Sequence, residues 1–241
     1  MAELWVTLKE NFLFVLVCAG IIVGLGLLAR LSERWLPGVR QIRSGRRIAI
    51  TGICAAIAAI VHLFDFPLPF LAPDFYKLDF SELPVLLCGF YLGPSATVAC
   101  EGIKILLKLL LKGTSTAFVG DFANFAVGCS FALPAVIIYH IGKSRSSALW
   151  GLIVGTISLT VFGSAFNAIY LLPKFAQLYG IPLDTIITMG TAIHPGVRNV
   201  STFVLLCVAP LNLIKGVTVS VLTFLLYKRV EKVLFSPLAK P

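Results

Sequence analysis

Long apolar stretches alternate with short polar ones along the chain, and the alternation predicts seven helices. They fall at about Asn11–Ala29, Ile48–Phe64, a stretch that opens at "DFSELP" and ends by Leu92, Ser95–Leu111, Phe118–Ile141, Ala148–Leu172 and Ser201–Tyr227. Apolar runs of about 18 residues or more are long enough to cross the hydrocarbon core. In "DFSELP", Asp79 followed three residues later by Glu82 resembles a capping box. Gly93–Pro94 reads as a turn, and "FPLPFLAPDFYKLDF" as an aromatic, proline-rich loop. A further short helix is expected near Leu183–Thr191, inside the long connection Pro173–Asn199.

Composition agrees with this pattern. With 58% hydrophobic and 13% charged residues among 241, the chain is too apolar for a soluble domain, in which roughly a quarter of residues are charged. The expected fold class is all-α, a polytopic membrane protein. "MAELWVTLKE" carries acids where a signal peptide has its positive region, so the first helix is expected to stay uncleaved.

The net charge of +9 concentrates in short connections, which is the positive-inside pattern and not a nucleic-acid stripe. Arg30, Arg34, Arg40, Arg43, Arg46, Arg47, Lys143, Arg145, Lys228, Arg229, Lys232 and Lys240 fall on one side. Lys9, Lys77, Lys112, Lys174 and Arg198 fall on the other. The asymmetry places the N-terminus outside and the C-terminus in the cytoplasm. The six cysteines stand singly in apolar segments, with no spacing that suggests a disulfide framework or a metal site.

Lys104, Lys108 and Lys215 remain at membrane depth, where a charged side chain costs at least about 2.5–3.5 kcal/mol. In "PLNLIKG", Asn212 and Lys215 lie three apart on one helix face. Two readings stand for Lys215: it snorkels or pairs with a hidden acid such as Glu101, or it faces a polar cavity. Pro210 beside them marks an irregularity that must be buried or line a cavity. "FNAIYLLP" places Asn167 and Tyr170 three apart as well. Glu101, Lys104, Lys108 and Lys112 form a stripe, read either as a cavity wall or as a self-paired, snorkelling face. Asp121, Asn124 and Gly128 share a further inward face. Gly52–Ala56 and Ala55–Ala59 are small-residue pairs that allow close helix approach. No P-loop, H-E-x-x-H or G-x-S-x-G occurs.

Taken in order, "FPLPFLAPDFYKLDFSELPVLLCGFYLGPSATVACEGIKILLKLLLKG", "VGDFANFAVGCSFALPA", "FNAIYLLP" and "APLNLIKG" resemble the riboflavin-binding S component of energy-coupling factor (ECF) transporters, the RibU family. The resemblance implies a six-helix substrate-binding core at 48–233. The chain departs from that six-helix pattern by one extra N-terminal transmembrane helix with an Arg-rich linker at 1–47, and a cytoplasmic tail is expected at 234–241. The resemblance also implies a prokaryotic cell membrane protein that is not an enzyme and carries no cofactor or metal. Riboflavin is the transported ligand. The implied partners are a transmembrane coupling subunit and two ABC-type ATPases, within the lipid bilayer and without nucleic acid.

By the same resemblance, Asn167, Asn212 and Lys215 match ligand positions, and the loop around Leu78 and Asp79 closes over them. Tyr170 and Asn124 are assigned to the same site from their positions. Ala55 and Ala59 match the family's Ala-x-x-x-Ala surface for the coupling subunit. The alternatives are an S component for another vitamin or for FMN with Lys112 or Lys174 near its phosphate, an intramembrane enzyme using Glu101 or Asp121, and a standalone proton-coupled carrier.

Overall fold

The computed structural model describes residues 2–36, 39, 43–114 and 118–230; the side chains of 2–15 and 178–179 fall outside this description. The expected tail at 234–241 and the linker residue Arg40 also lie outside the described residues. Ten α-helices and one small ribbon make up the described part. Five spans are long and apolar enough to cross a membrane: Leu16–Trp35, Ser44–Leu63, Val119–Gly142, Arg145–Gln177 and Val200–Val230.

Helix α1 (Ala2–Trp35) extends well beyond the expected Asn11–Ala29. It lies against α4 (Pro94–Lys112) and α5 (Val119–Gly142), with Ile21, Leu25 and Ala29 packed onto Ile105, Phe125 and Leu133. Leu16, Val23, Leu27 and Leu31 face outward, as they would toward lipid. At the end of α1, the Glu33 carboxylate accepts hydrogen bonds from Arg47 at 2.6 Å and from the backbone N–H of Ser95 at 3.1 Å. That ties the extra helix to α2 (Ser44–Leu63) and to the start of α4.

Helix α5 runs through the middle and packs on α1, α3 (Glu82–Leu92), α4 and α6 (Arg145–Phe166). Its contact with α6 is the most extensive between two helices. The cause is local: a Cβ on Gly151 would sit 2.5 Å from the Ala135 carbonyl oxygen, and one on Gly155 would sit 2.7 Å from that of Phe131. Two glycines four apart thus let α6 lie directly on the backbone of α5.

Gly93, at φ +104°, joins α3 to α4 and is followed by Pro94 in the first turn of α4, which is the turn expected from the sequence. The capping box expected at Asp79–Glu82 does not form. Ser81 precedes α3 without a side-chain cap, and the two carboxylates are drawn to lysines instead. With 11 residues, α3 is about 16 Å long, half of what a bilayer core requires. The chain therefore enters as irregular backbone, which is tolerated at depth because Asp79 and Ser81 are buried in protein.

Two π-helical turns interrupt the last long helices, at Asn167–Leu171 and Val204–Val208. Each stands two residues before a proline, Pro173 or Pro210. Proline lacks an N–H and its ring clashes with the carbonyl four residues back. The wider turn moves the Ile169 and Leu206 carbonyls aside, so the helix continues without a break. The irregularity expected at Pro210 takes this form. Beyond the first π turn, α7 (Leu172–Tyr179) and α8 (Leu183–Ile193) form a cap. The chain returns through α9 (Val200–Phe203) to α10 (Ala209–Val230). The ribbon pairs β1 (Phe66–Pro67) with β2 (Lys77–Leu78) and pins the two ends of the aromatic loop together.

Ala55 and Ala59 are 0% and 1% exposed, packed inward on α2. Ala55 packs in the core with residues of α3, α4 and α5. The outward face of α2 holds Ile53, Ile57 and Ile60, while Gly52 has open space around its Cα.

Replacing Gly155 by leucine drives a side chain into the α5 backbone. Such overpacking costs about 1–3 kcal/mol or more. The thermal midpoint of the purified variant in detergent should fall, whereas Gly20→Leu, on the open face of α1, should leave it unchanged.

Candidate functional site

A cavity of about 370 Å³ opens at the end of the bundle where α2, α4 and α6 finish and α5 begins. The aromatic loop contributes Phe75, Tyr76 and Asp79 to its wall, and α5 contributes Asp121, Asn124 and Val127. Asn167 and Leu171 enter from the π turn, and Leu211, Asn212 and Lys215 from α10. Aromatic and aliphatic side chains share this wall with many polar and charged groups, a concave site suited to a ligand that is part apolar and part hydrogen-bonding.

Lys215 is held by two acids from the loop and α3: its Nζ lies 2.9 Å from Asp79 Oδ2 and 3.1 Å from Glu82 Oε2. Asp79 Oδ1 in turn accepts from the backbone N–H of Ser81 at 2.8 Å. On the far side of Glu82, Lys104 donates to Ser81 Oγ at 3.1 Å, and its Nζ lies 3.5 Å from Glu82 Oε1 and 2.5 Å from Glu101 Oε1. The carboxylate of Glu101 occupies the space left by Gly128, where a Cβ would clash with it. The partners of Lys215 are therefore Asp79 and Glu82; Glu101 belongs to Lys104.

Asn167 is fully engaged. Its Oδ1 accepts from the Tyr76 hydroxyl at 2.7 Å and its Nδ2 donates to the Gly163 carbonyl at 2.8 Å. Asn212 is not: its buried Nδ2 has no acceptor among the described residues. The same amide packs on Gly163, where a Cβ would come within 2.7 Å of Nδ2, so the two asparagines converge on one glycine of α6. At the mouth, Lys108 pairs with Asp121 at 2.5 Å, and Lys112 and Lys77 both reach Asp65, at 2.9 and 3.6 Å.

Of the residues expected at the site, Asn124, Asn167, Asn212, Lys215 and Asp79 line one cavity. Leu78 is buried in β2 beside it and does not line it. Tyr170 turns away and packs on Phe166, with ring centroids 5.1 Å apart. The expectation assumed α-helical spacing from Asn167, but the π turn rotates the third residue onward off that face. His62, Phe75, Tyr76 and Phe175 also line the cavity and were not assigned to it from sequence. Tyr76 had a signal, since the proline-rich loop that carries it was expected to cover the site. His62 had none, being a lone histidine at the end of an apolar helix.

The family described as "ECF transporter, substrate-specific component" matches residues 46–227. The riboflavin transporter RibU of Staphylococcus aureus (strain TCH60) is 33% identical over 194 residues, covering 80% of this chain and 95% of its own length. The riboflavin transporter FmnP of Bacillus subtilis (strain 168) is 28% identical over 187 residues, 77% of this chain and 92% of its own. A solved structure described as "Structure and mechanism of the S component of a bacterial ECF transporter" is 36% identical, with a TM-score of 0.62, over 80% of this chain and 99% of the other. The matched region takes in every wall of the cavity, from His62 on α2 to Lys215 on α10. On that match this chain belongs to the substrate-specific components of ECF transporters, membrane transport subunits and not enzymes.

Proposed function

We propose that the chain captures riboflavin in the cavity between the aromatic loop and α10, for import powered by ATPases on other chains. The observation that carries this reading is the Asn212 amide, a buried donor without an acceptor on the wall that also holds Lys215. A buried, unsatisfied donor costs about 1–3 kcal/mol. The imide-like edge of riboflavin offers two carbonyl acceptors around one N–H, and an asparagine amide can both donate to and accept from it. Lys215 supplies a charge-assisted hydrogen bond to a ring oxygen or nitrogen. Phe75, Tyr76 and Phe175 supply apolar walls for the flat ring system, and Asn124 and Asp121 supply polar company for the hydroxylated chain.

The loop is tethered to the same residues. Tyr76 holds Asn167 and Asp79 holds Lys215, so opening the loop and freeing the site are one event. Leu78, buried between these tethers, keeps the loop seated. The relatives named riboflavin transporters support the choice of vitamin. At the mouth, Lys112 and Lys77 are engaged by Asp65, and Lys174 by Gln177.

The partners in this reading are a transmembrane coupling subunit and two ABC-type ATPases. The arginines at the end of α1 and the start of α2 mark the cytoplasmic face, with Lys143, Arg145, Lys228 and Arg229. The N-terminus then lies outside, the C-terminus inside, and the cavity opens outward.

The purified chain should be yellow and release a flavin on denaturation; a colourless protein that does not bind added riboflavin rejects the reading. Asn212→Ala should weaken riboflavin binding by roughly tenfold to a hundredfold in fluorescence titration while the thermal midpoint of the ligand-free protein holds or rises. Lys215→Ala should lower both affinity and midpoint, because Asp79 loses its lysine in a buried site. Cellular uptake should stop when the ATPases are inactivated and persist when the proton gradient is collapsed. The opposite pattern identifies a proton-coupled carrier.

A further inference from the structure

On the face opposite the vitamin cavity, the ends of α1, α2 and α4 enclose a second cleft of about 560 Å³. We propose that it binds the headgroup and upper chain of an anionic phospholipid. Its polar wall carries Arg30 and Arg34 from α1 and Arg47 from α2, against one carboxylate, Glu33. That carboxylate is already engaged by Arg47 and by the Ser95 N–H at the N-terminus of α4. Arg30 and Arg34 lie four apart on one face of α1, and among the described residues neither guanidinium has a carboxylate or another hydrogen-bond partner. The cleft therefore keeps two uncompensated positive charges.

The rest of the wall is mainly apolar, with Ile48, Ala96, Ala99 and Ile103 beside the hydroxyl residues Thr51 and Ser95. A cationic rim over an apolar floor matches a phosphodiester joined to an acyl chain. A free anion would meet the rim alone. Exposed tryptophans set the depth: Trp35, at the end of α1, is 85% exposed, and Trp150, near the start of α6, is 60% exposed. Tryptophan collects at the headgroup level of a bilayer, so the cleft lies where phospholipid headgroups are. Basic pockets between membrane helices on the cytoplasmic side hold such headgroups. Ile48, 72% exposed, leaves the cleft open sideways to the bilayer. The family match begins at residue 46, so Arg30 and Arg34 belong to the extra helix and not to the shared core. The lipid would bridge α1 to that core beside the contact Glu33 already makes.

The test uses the full chain in mild detergent, equilibrated with equal amounts of phosphatidylglycerol and phosphatidylcholine and examined by native mass spectrometry. The wild-type protein should retain phosphatidylglycerol on the order of tenfold over phosphatidylcholine. Arg30→Gln with Arg34→Gln should remove the preference and leave the ligand-free thermal midpoint unchanged, both side chains being exposed. Equal retention of the two lipids by the wild type, or an undiminished preference in the double variant, overturns the proposal. Displacement of the phosphatidylglycerol by inorganic phosphate alone, with no dependence on acyl chains, assigns the arginines to a free anion instead. A double variant that keeps its lipid but loses co-purification with the ATPase module assigns them to a protein contact. These readouts do not involve riboflavin, so they stand or fall separately from the vitamin site.

Discussion

A line of five charges, the half-buried Lys215 and the buried Asp79, Glu82, Lys104 and Glu101, holds this bundle in the form that has a cavity. None of these groups could remain alone at membrane depth, since each isolated ion would cost several kcal/mol. Each lysine sits between two carboxylates, Lys215 between Asp79 and Glu82 and Lys104 between Glu82 and Glu101, so the groups compensate one another across three helices and a loop with one acid in excess. The arrangement fixes the short helix α3 between α4 and α10, because Glu82 is shared by a lysine from each. It also explains why irregular backbone can enter the membrane at Asp79: the loop is anchored by charge before it becomes helical.

Such a line joins the cavity to the interior. Lys215 stands on the cavity wall at one end, while Glu101 lies at the other against the bare backbone of Gly128. Any group that draws Lys215 toward the cavity competes with Asp79 and Glu82, and through Glu82 with Lys104. The loop and the ligand wall therefore share one set of charges. Tyr76 repeats the linkage without charge, by holding the Asn167 carbonyl.

Much of this was legible in the sequence. The helices followed from apolar length, the Gly93–Pro94 turn from its dipeptide, and the convergence of Asn167 with Asn212 and Lys215 from polar residues placed where lipid would reject them. What sequence could not supply was which acid met which lysine. Glu101 stood three residues from Lys104 and was equally available to Lys215 on paper; packing decided it, because Asp79 and Glu82 come from a segment 136 residues away from Lys215 in the case of Asp79. The capping box failed for a related reason: one Asp79 oxygen is taken by Lys215 and the other by the Ser81 N–H, and Glu82 lies between Lys215 and Lys104. The four-residue spacing of Ala55 and Ala59 defines a face but not what covers it. In this protein α3 and α4 cover that face, and the isoleucines of α2 turn outward.

The two π turns carry a consequence for how the outer part of the molecule is connected. Each inserts one residue into a long helix, so every side chain beyond it is turned by roughly 100° from where an unbroken α-helix would carry it. The turns pack against each other at the level of Asn167 and Val204. Inward of that level, α6 and α10 keep the register of the bundle; outward of it, α7, α8 and α9 keep their own. The cap is thus geared separately from the barrel of helices below it. Helical periodicity counted straight through either proline assigns the wrong residues to the cavity wall.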